Sequence, residues 1–337
     1  MKFLHISDLH LGKKINDFNM TDDQRFILAG IEDIIERERP DGILIAGDVY
    51  DRSIPSTEAL EVFERFLYRL SDAKQQVFVI SGNHDSAERV SFGSSLMESS
   101  GIHIAPAYHG KAPHYVLYDE HGAVNIYLMP FVKPANVRHA LVSSGKMSEA
   151  EAGEIDSYAK AVAASIDAMD PDTEQRNVLV AHQFVTGAYT SASEEKTVGG
   201  LDNIDADVFD RFDYVALGHL HGPQTLGEKK NIRYCGTPLK YSFSEVEHRK
   251  TVTIAELGAK TGAETKLKIR EIPLSPLRDW AEIRGTFDRV TSEAYRSDAD
   301  TDAYCRITLL DEDDVPDAAA RLKAFYPNLM NIRYDNI

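Results

Sequence analysis

The chain alternates short, unbroken apolar runs with longer stretches in which apolar residues recur three and four apart. Runs at 3–7, 42–46, 77–81, 126–131, 178–181 and 214–217 are rich in β-branched residues and too short for helices, so they predict buried strands. Between the early ones, residues 22–39 and 56–70 show helical spacing, with Ser56 a candidate N-cap, and predict amphipathic helices. Such strand–helix–strand alternation implies a layered α/β domain. From about residue 231 the pattern changes: runs at 232–235, 252–257 and 267–272 follow one another without helices. They predict a second, more antiparallel sheet packed on the first.

Pro273 and Pro276 mark a junction, which divides the chain into expected domains at 1–275 and 276–337. The second part predicts a small α+β unit, with helices at 287–295 and 315–325 and strands at 304–310 and 330–334. It is acidic, which makes it no obvious DNA clamp. Residues 135–172, rich in Ala, Ser and acids, predict an exposed excursion carrying a helix at 155–169. Residues 186–203 are polar and follow His182 directly; they read equally as a loop closing over substrate and as plain connection.

Composition sets broad limits. A chain of 337 residues with 43% hydrophobic content has room for a large core and for more than one domain. No apolar run approaches the roughly twenty residues that span a bilayer, and polar residues come too early after Met1 for a secretory signal. The expectation is a cytoplasmic protein without a membrane partner. Cys235 and Cys305 are the only cysteines, which fits packing residues in a reducing compartment. The formal charge of −17 pulls against a polyanionic substrate.

The candidate chemistry lies in five motifs, each at the end of an apolar run: Asp8-Leu9-His10, Gly47-Asp48, Gly82-Asn83-His84-Asp85, Ala181-His182 and Gly218-His219-Leu220-His221. Oxygen and imidazole ligands suit hard or borderline divalent cations, and two neighbouring cations need an anionic bridge. Asp48 is the natural bridge. Asp8, His10 and His221 would hold one ion and Asn83, His182 and His219 the other. No cysteine takes part, which argues against a closed structural zinc site. Singly, each motif has an ordinary explanation as a turn, an N-cap or a satisfied strand-end residue. Five in sequence at strand ends, where α/β sheets place their ligands, point to a binuclear phosphoester hydrolase. Lys13, Lys14, Arg52, Arg89 and Lys196 follow the motifs, with Arg249 and Lys250 further on; as a set around one mouth they are candidate contacts for a phosphate backbone, and taken one at a time each reads as a solvated loop charge.

These motifs resemble the calcineurin-like metallophosphoesterase superfamily. The runs His5 to Gly12, Ala46 to Asp51, Ile80 to Asp85, Gly218 to Gln224 and Tyr234 to Phe243 resemble, more narrowly, the SbcD family of bacterial nuclease subunits. The resemblance implies a four-layer α-β-β-α sandwich with a small C-terminal α+β capping domain facing DNA. It also implies manganese-dependent exonuclease cleavage of duplex ends and endonuclease cleavage of single strands and hairpins, within a heterotetramer containing the ATPase SbcC. By motif position His84 is the non-ligand histidine that would protonate the leaving oxygen, and Asp85 would either orient it or cap the turn. Some relatives carry a second histidine where this chain has Asp51, whose role is left open. A homodimer through the nuclease domain is implied, with residues 86–99 and 56–70 one candidate surface. Members of the family run on into helices that grip the ATPase, so the sequence reads as ending before them. Two rivals remain: a small-molecule or cyclic-nucleotide phosphodiesterase, favoured by the acidic charge, and a non-catalytic scaffold.

Overall fold

A computed structural model describes residues 1–191, 194, 204–228 and 230–335. Two six-stranded mixed sheets form its body. The first runs from Glu264–Pro273 and Thr251–Thr261 through Lys2–Ile6, Gly42–Ala46 and Val77–Ile80 to Ile102–Ile104. The second runs from Gln224–Leu226 through Ile232–Tyr234, Tyr214–Gly218, Arg176–His182 and Gly122–Met129 to His114–Asp119. The four strands in the middle of the second sheet are parallel, as are the last four of the first.

Alternation along the strands makes the layers, because successive side chains point to opposite faces. Phe3, Leu44, Phe78 and Ile80 meet Ile126, Leu128, Val178, Val180 and Ala216 between the sheets. Their neighbours Leu4, Ile43, Ile45 and Val79 face outward onto the helices Thr21–Glu38 and Thr57–Asp72. On the other side Met129, Leu179 and Val215 pack under Pro134–Ser143 and Tyr158–Met169. The result is the α-β-β-α sandwich. Ser56 caps the second helix, its hydroxyl accepting from the Ala59 N–H at 3.2 Å.

The late strands depart from expectation. They do not form a second sheet of their own: Ile232–Tyr234 lies parallel beside Tyr214–Gly218, whereas Thr251–Thr261 returns to the first sheet antiparallel to Lys2–Ile6. The reason is two-sided burial. Val252 and Ile254 fill the helix-facing core of the first sheet while Ala255 and Leu257 fill the core between sheets, and the position beside Lys2–Ile6 offers both. The more exposed Glu264–Pro273 then forms the edge.

The C-terminal unit is a three-stranded parallel sheet of Trp280–Gly285, Tyr304–Leu309 and Leu329–Tyr334 around Ile283, Val290, Ile307 and Leu322. Its first strand was not expected. The expected single helix at 287–295 is two, Phe287–Thr291 and Glu293–Asp298, because Ser292 is extended at φ −64° and ψ 147° and caps the second. The unit meets the body through Tyr304, whose hydroxyl donates to Asp23 Oδ2 at 2.8 Å, and through Trp280 against Phe243 at 4.7 Å between ring centroids. Among the described residues no helix is long and apolar enough to cross a membrane.

Candidate metal centre

All five motifs emerge at the carboxyl ends of neighbouring strands, Asp8 and Asp48 from the first sheet and His182, His219 and His221 from the second. The backbone turns sharply there. Asp8, His10, Asp48 and His219 have φ of 52°, 45°, 47° and 103°, a region that L-residues leave unless their surroundings hold them. What holds them is a short ladder outside the sheet, with Asp8 N–H donating to Gly47 O at 2.9 Å and His10 N–H to Asp48 O at 3.0 Å. Two glycines let the loops close up. A Cβ on Gly82 would lie 2.1 Å from Asp48 Oδ1, and one on Gly218 would lie 2.0 Å from Ala46 O.

The side chains then converge. Asp8, His10 and His221 bring their ligand atoms within 4.8 Å of one another, as do Asp8, Asp48 and His182, and His10, Asp48 and His84. Asn83 Oδ1 lies 3.0 Å from both His182 Nε2 and His219 Nδ1. Asp48 Oδ2 stands between the two groups, 3.7 Å from His10 Nε2 and 3.4 Å from His182 Nε2.

This donor set fits a pair of divalent cations. His182 Nδ1–H donates to Ala46 O at 2.8 Å, which turns the Nε2 lone pair toward the Asn83 and Asp48 oxygens. Facing acceptors of this kind call for a positive charge between them. Both ring nitrogens of His10 are buried without a hydrogen-bond partner, a costly state that ligation relieves. Burial and the nearby Asp48 charge push the Asp8 carboxyl up to about 6. Burial acts the same way on Asp48, but His182, His10 and His84 outweigh it and hold that carboxyl low. Burial would lower His182, yet Asp48 raises it to about 9, so that without a cation a second ring proton takes the place between these oxygens.

Around this set the residues divide in ways the sequence did not reveal. Asp85 does not engage the His84 ring. Its Oδ2 accepts from Val49 N–H at 3.0 Å and Gly82 N–H at 2.9 Å, and its Oδ1 from Tyr50 N–H at 2.9 Å. It therefore tethers two motif loops, the turn-capping role that was one of the two readings open for it. His84 Nδ1 instead lies 3.2 Å from the carbonyl of Asp51, and its N–H donates to Asp48 Oδ1 at 2.9 Å. The ring is the least buried of those at the centre.

Several contributors went unread. Gln24 donates to His10 O at 2.7 Å, Tyr241 donates to Leu9 O at 2.6 Å, and Ser7 donates to Asp8. Tyr241 lies in a stretch whose resemblance was visible, but nothing in its spacing pointed to the first motif. Of the candidate DNA contacts, Lys13 pairs with Asp51 Oδ1 at 2.5 Å beside His10, and the Arg52 side chain is 81% exposed, 3.9 Å from Asp51 Oδ2. Lys14 and Arg89 are exposed on the flanking hairpin and short helix. Lys196 lies outside the described residues. Lys250 is buried and bonded within the protein, so it is not a surface contact.

Comparison with known proteins identifies the family. Residues 1–223 match the calcineurin-like phosphoesterase family, and residues 276–336 match the family described as the type 5 capsule protein repressor C-terminal domain. The SbcD chain of the SbcCD nuclease from Staphylococcus epidermidis is 31% identical over 345 aligned positions, covering 100% of this chain and 87% of the relative. A dimetal phosphatase from Danio rerio aligns at 12% identity and TM-score 0.43, over 82% of this chain and 98% of its own. A Thermus thermophilus protein aligns at 10% identity and TM-score 0.41, over 80% and 98%. The chain belongs to the calcineurin-like phosphoesterases, metal-dependent enzymes of phosphoester cleavage, and within them to the SbcD family.

Proposed function

We propose that the protein is the nuclease component of a DNA end-processing complex and hydrolyses phosphodiesters at a two-cation centre. The observation that carries this is the gathering of Asp8, His10, Asn83, His182, His219 and His221 around one shared carboxylate, Asp48. The Staphylococcus relative is named as part of a nuclease, which supports a nucleic acid as the substrate. Asp8, His10 and His221 would hold one ion and Asn83, His182 and His219 the other, with manganese the expected metal.

When bound, such a pair supplies Lewis acidity to the phosphate and lowers the pKa of an attacking water. The chain's own groups do the rest. Asp48 fixes the spacing of the two pockets, and its buried charge offsets the cations. His84, held at Nδ1 by the Asp51 carbonyl, has Nε2 4.0 Å from Asp48 Oδ2 beside the centre, and as the imidazolium it would deliver a proton to the departing 3′-oxygen. Lys13 and Arg52 at the mouth, with Lys14 and Arg89 beyond, position backbone phosphates. The unit at 276–337 caps the body beside the DNA path.

The expected partners are DNA and the ATPase SbcC, with two copies of each protein. Phe92 and Leu96, 83% and 82% exposed in the turn and short helix within residues 86–99, and Ile54, 71% exposed in the loop before Thr57–Asp72, support self-association there. The acidic charge of −17 favours the second reading, a cyclic-nucleotide phosphodiesterase. Incubation with Mn2+ and a DNA hairpin, a blunt duplex or a cyclic nucleotide separates the two. Cleavage of the hairpin and duplex is expected; turnover of the cyclic nucleotide alone would overturn the nuclease reading.

A further inference from the structure

The strand end carrying His221 rests on a buried ion pair that none of the five motifs includes. Glu245 and Lys250 have side chains 0% and 5% exposed, and Lys250 Nζ lies 2.5 Å from Glu245 Oε2. Burying two formal charges is costly, and an apolar pair of similar volume usually serves stability at least as well. Here every donor of the ammonium is used. Besides Glu245, Lys250 Nζ donates to His221 O at 2.9 Å and to Thr237 Oγ1 at 2.6 Å. The second oxygen of Glu245 lies 3.2 Å from His221 Nδ1. The pair therefore grips His221 at both ends, its main-chain carbonyl through Lys250 and its ring through Glu245.

The two proposed cation pockets differ as a result. His182 is oriented by a neutral group, the Ala46 carbonyl at 2.8 Å. His221 is oriented by a carboxylate. A proton on His221 Nδ1 shared with Glu245 leaves Nε2 as the unprotonated nitrogen, on the ring that shares a cluster with Asp8 and His10. A charged partner on the far nitrogen also makes the imidazole a stronger donor.

We infer that Glu245, neutralised by Lys250, is a positioning residue that fixes the tautomer and raises the ligand strength of His221, so that the Asp8–His10–His221 pocket is the tighter of the two. The inference rests on the two-cation reading above. Its test is Mn2+ binding to the full-length protein, followed by calorimetry and by the electron paramagnetic resonance of bound manganese, which needs no turnover. Wild type should bind two ions in resolvable steps, and E245Q should weaken the tighter step by about 10- to 100-fold with the weaker step unchanged. In an H221N background E245Q should add nothing further.

Unchanged binding in E245Q, equal weakening of both steps, or the same loss with and without His221 would each overturn the inference while leaving the two-cation centre standing. A wild-type protein that binds no manganese would instead remove the centre and this inference together. Should E245Q fold poorly, T237V removes one partner of Lys250 and leaves the carboxylate in place. A smaller weakening of the tighter step alone is expected from it, and its absence counts against the inference.

Discussion

The loop end of the sandwich and the interior of the C-terminal cap are built on opposite terms. At the first, Asp8, His10, Asp48 and His182 are buried polar groups, three of them on left-handed backbone, and both nitrogens of His10 lack a hydrogen-bond partner. In the second, Ile283, Val290, Ile307 and Leu322 close a small apolar core, and its buried phenol, Tyr326, donates to Val290 O at 2.7 Å. A group retained at a cost to the fold is retained for what it binds, whereas a satisfied apolar core is retained for shape. The difference predicts that substitutions at the loop end separate chemistry from stability, and that substitutions in the cap do the reverse.

The strongest test of that contrast is D48N. Removing the shared charge should take cleavage below detection and weaken Mn2+ binding, while the far-ultraviolet circular dichroism stays that of wild type. A loss of secondary structure would mean that Asp48 serves the fold after all. Next comes H84A, for which kcat should fall by roughly 10²- to 10⁴-fold with metal content intact. Cleavage at the wild-type rate would remove His84 from the proton transfer.

Within the cap, L322A should cost about 2–5 kcal/mol, read as an earlier urea transition. Manganese affinity is expected to stay put, and a parallel drop in it would break the contrast by showing the two regions to be one cooperative unit. The smallest effect belongs to the junction. Y304F deletes the hydroxyl donated to Asp23 and should cost about 1 kcal/mol, measurable as a shift in thermal unfolding. Because it loosens the cap without touching the centre, DNA cleavage should suffer more than hydrolysis of a small phosphodiester.

The positions of Asp8, Asp48, Asn83, His182, His219 and His221 could be anticipated because each closes a short apolar run, and strand ends in such folds converge. Helices at Thr21–Glu38 and Thr57–Asp72 were legible from their spacing. Strand partners were not. Nothing local in Thr251–Thr261 tells which sheet it joins, since that is decided by two distant cores. Trp280–Gly285 escaped notice because Glu282 and Arg284 interrupt its apolar residues, leaving a short alternation in place of a continuous run. The supporting residues Asp85, Gln24, Glu245 and Lys250 act on main-chain atoms or on residues far along the sequence. Contacts of that kind leave no spacing signature.

The seam that joins the two ends of the body, Lys2 opposite Glu256 and His5 opposite Thr253, has a kinetic side. Pairings this remote must close a loop of nearly the whole body before they return any free energy, which slows folding. Until residues 251–261 arrive, the opening strand keeps one flank bare, so a chain still being synthesised carries an adhesive border for most of its translation. Yield of the folded protein should therefore depend on how fast the ribosome delivers residues 251–261.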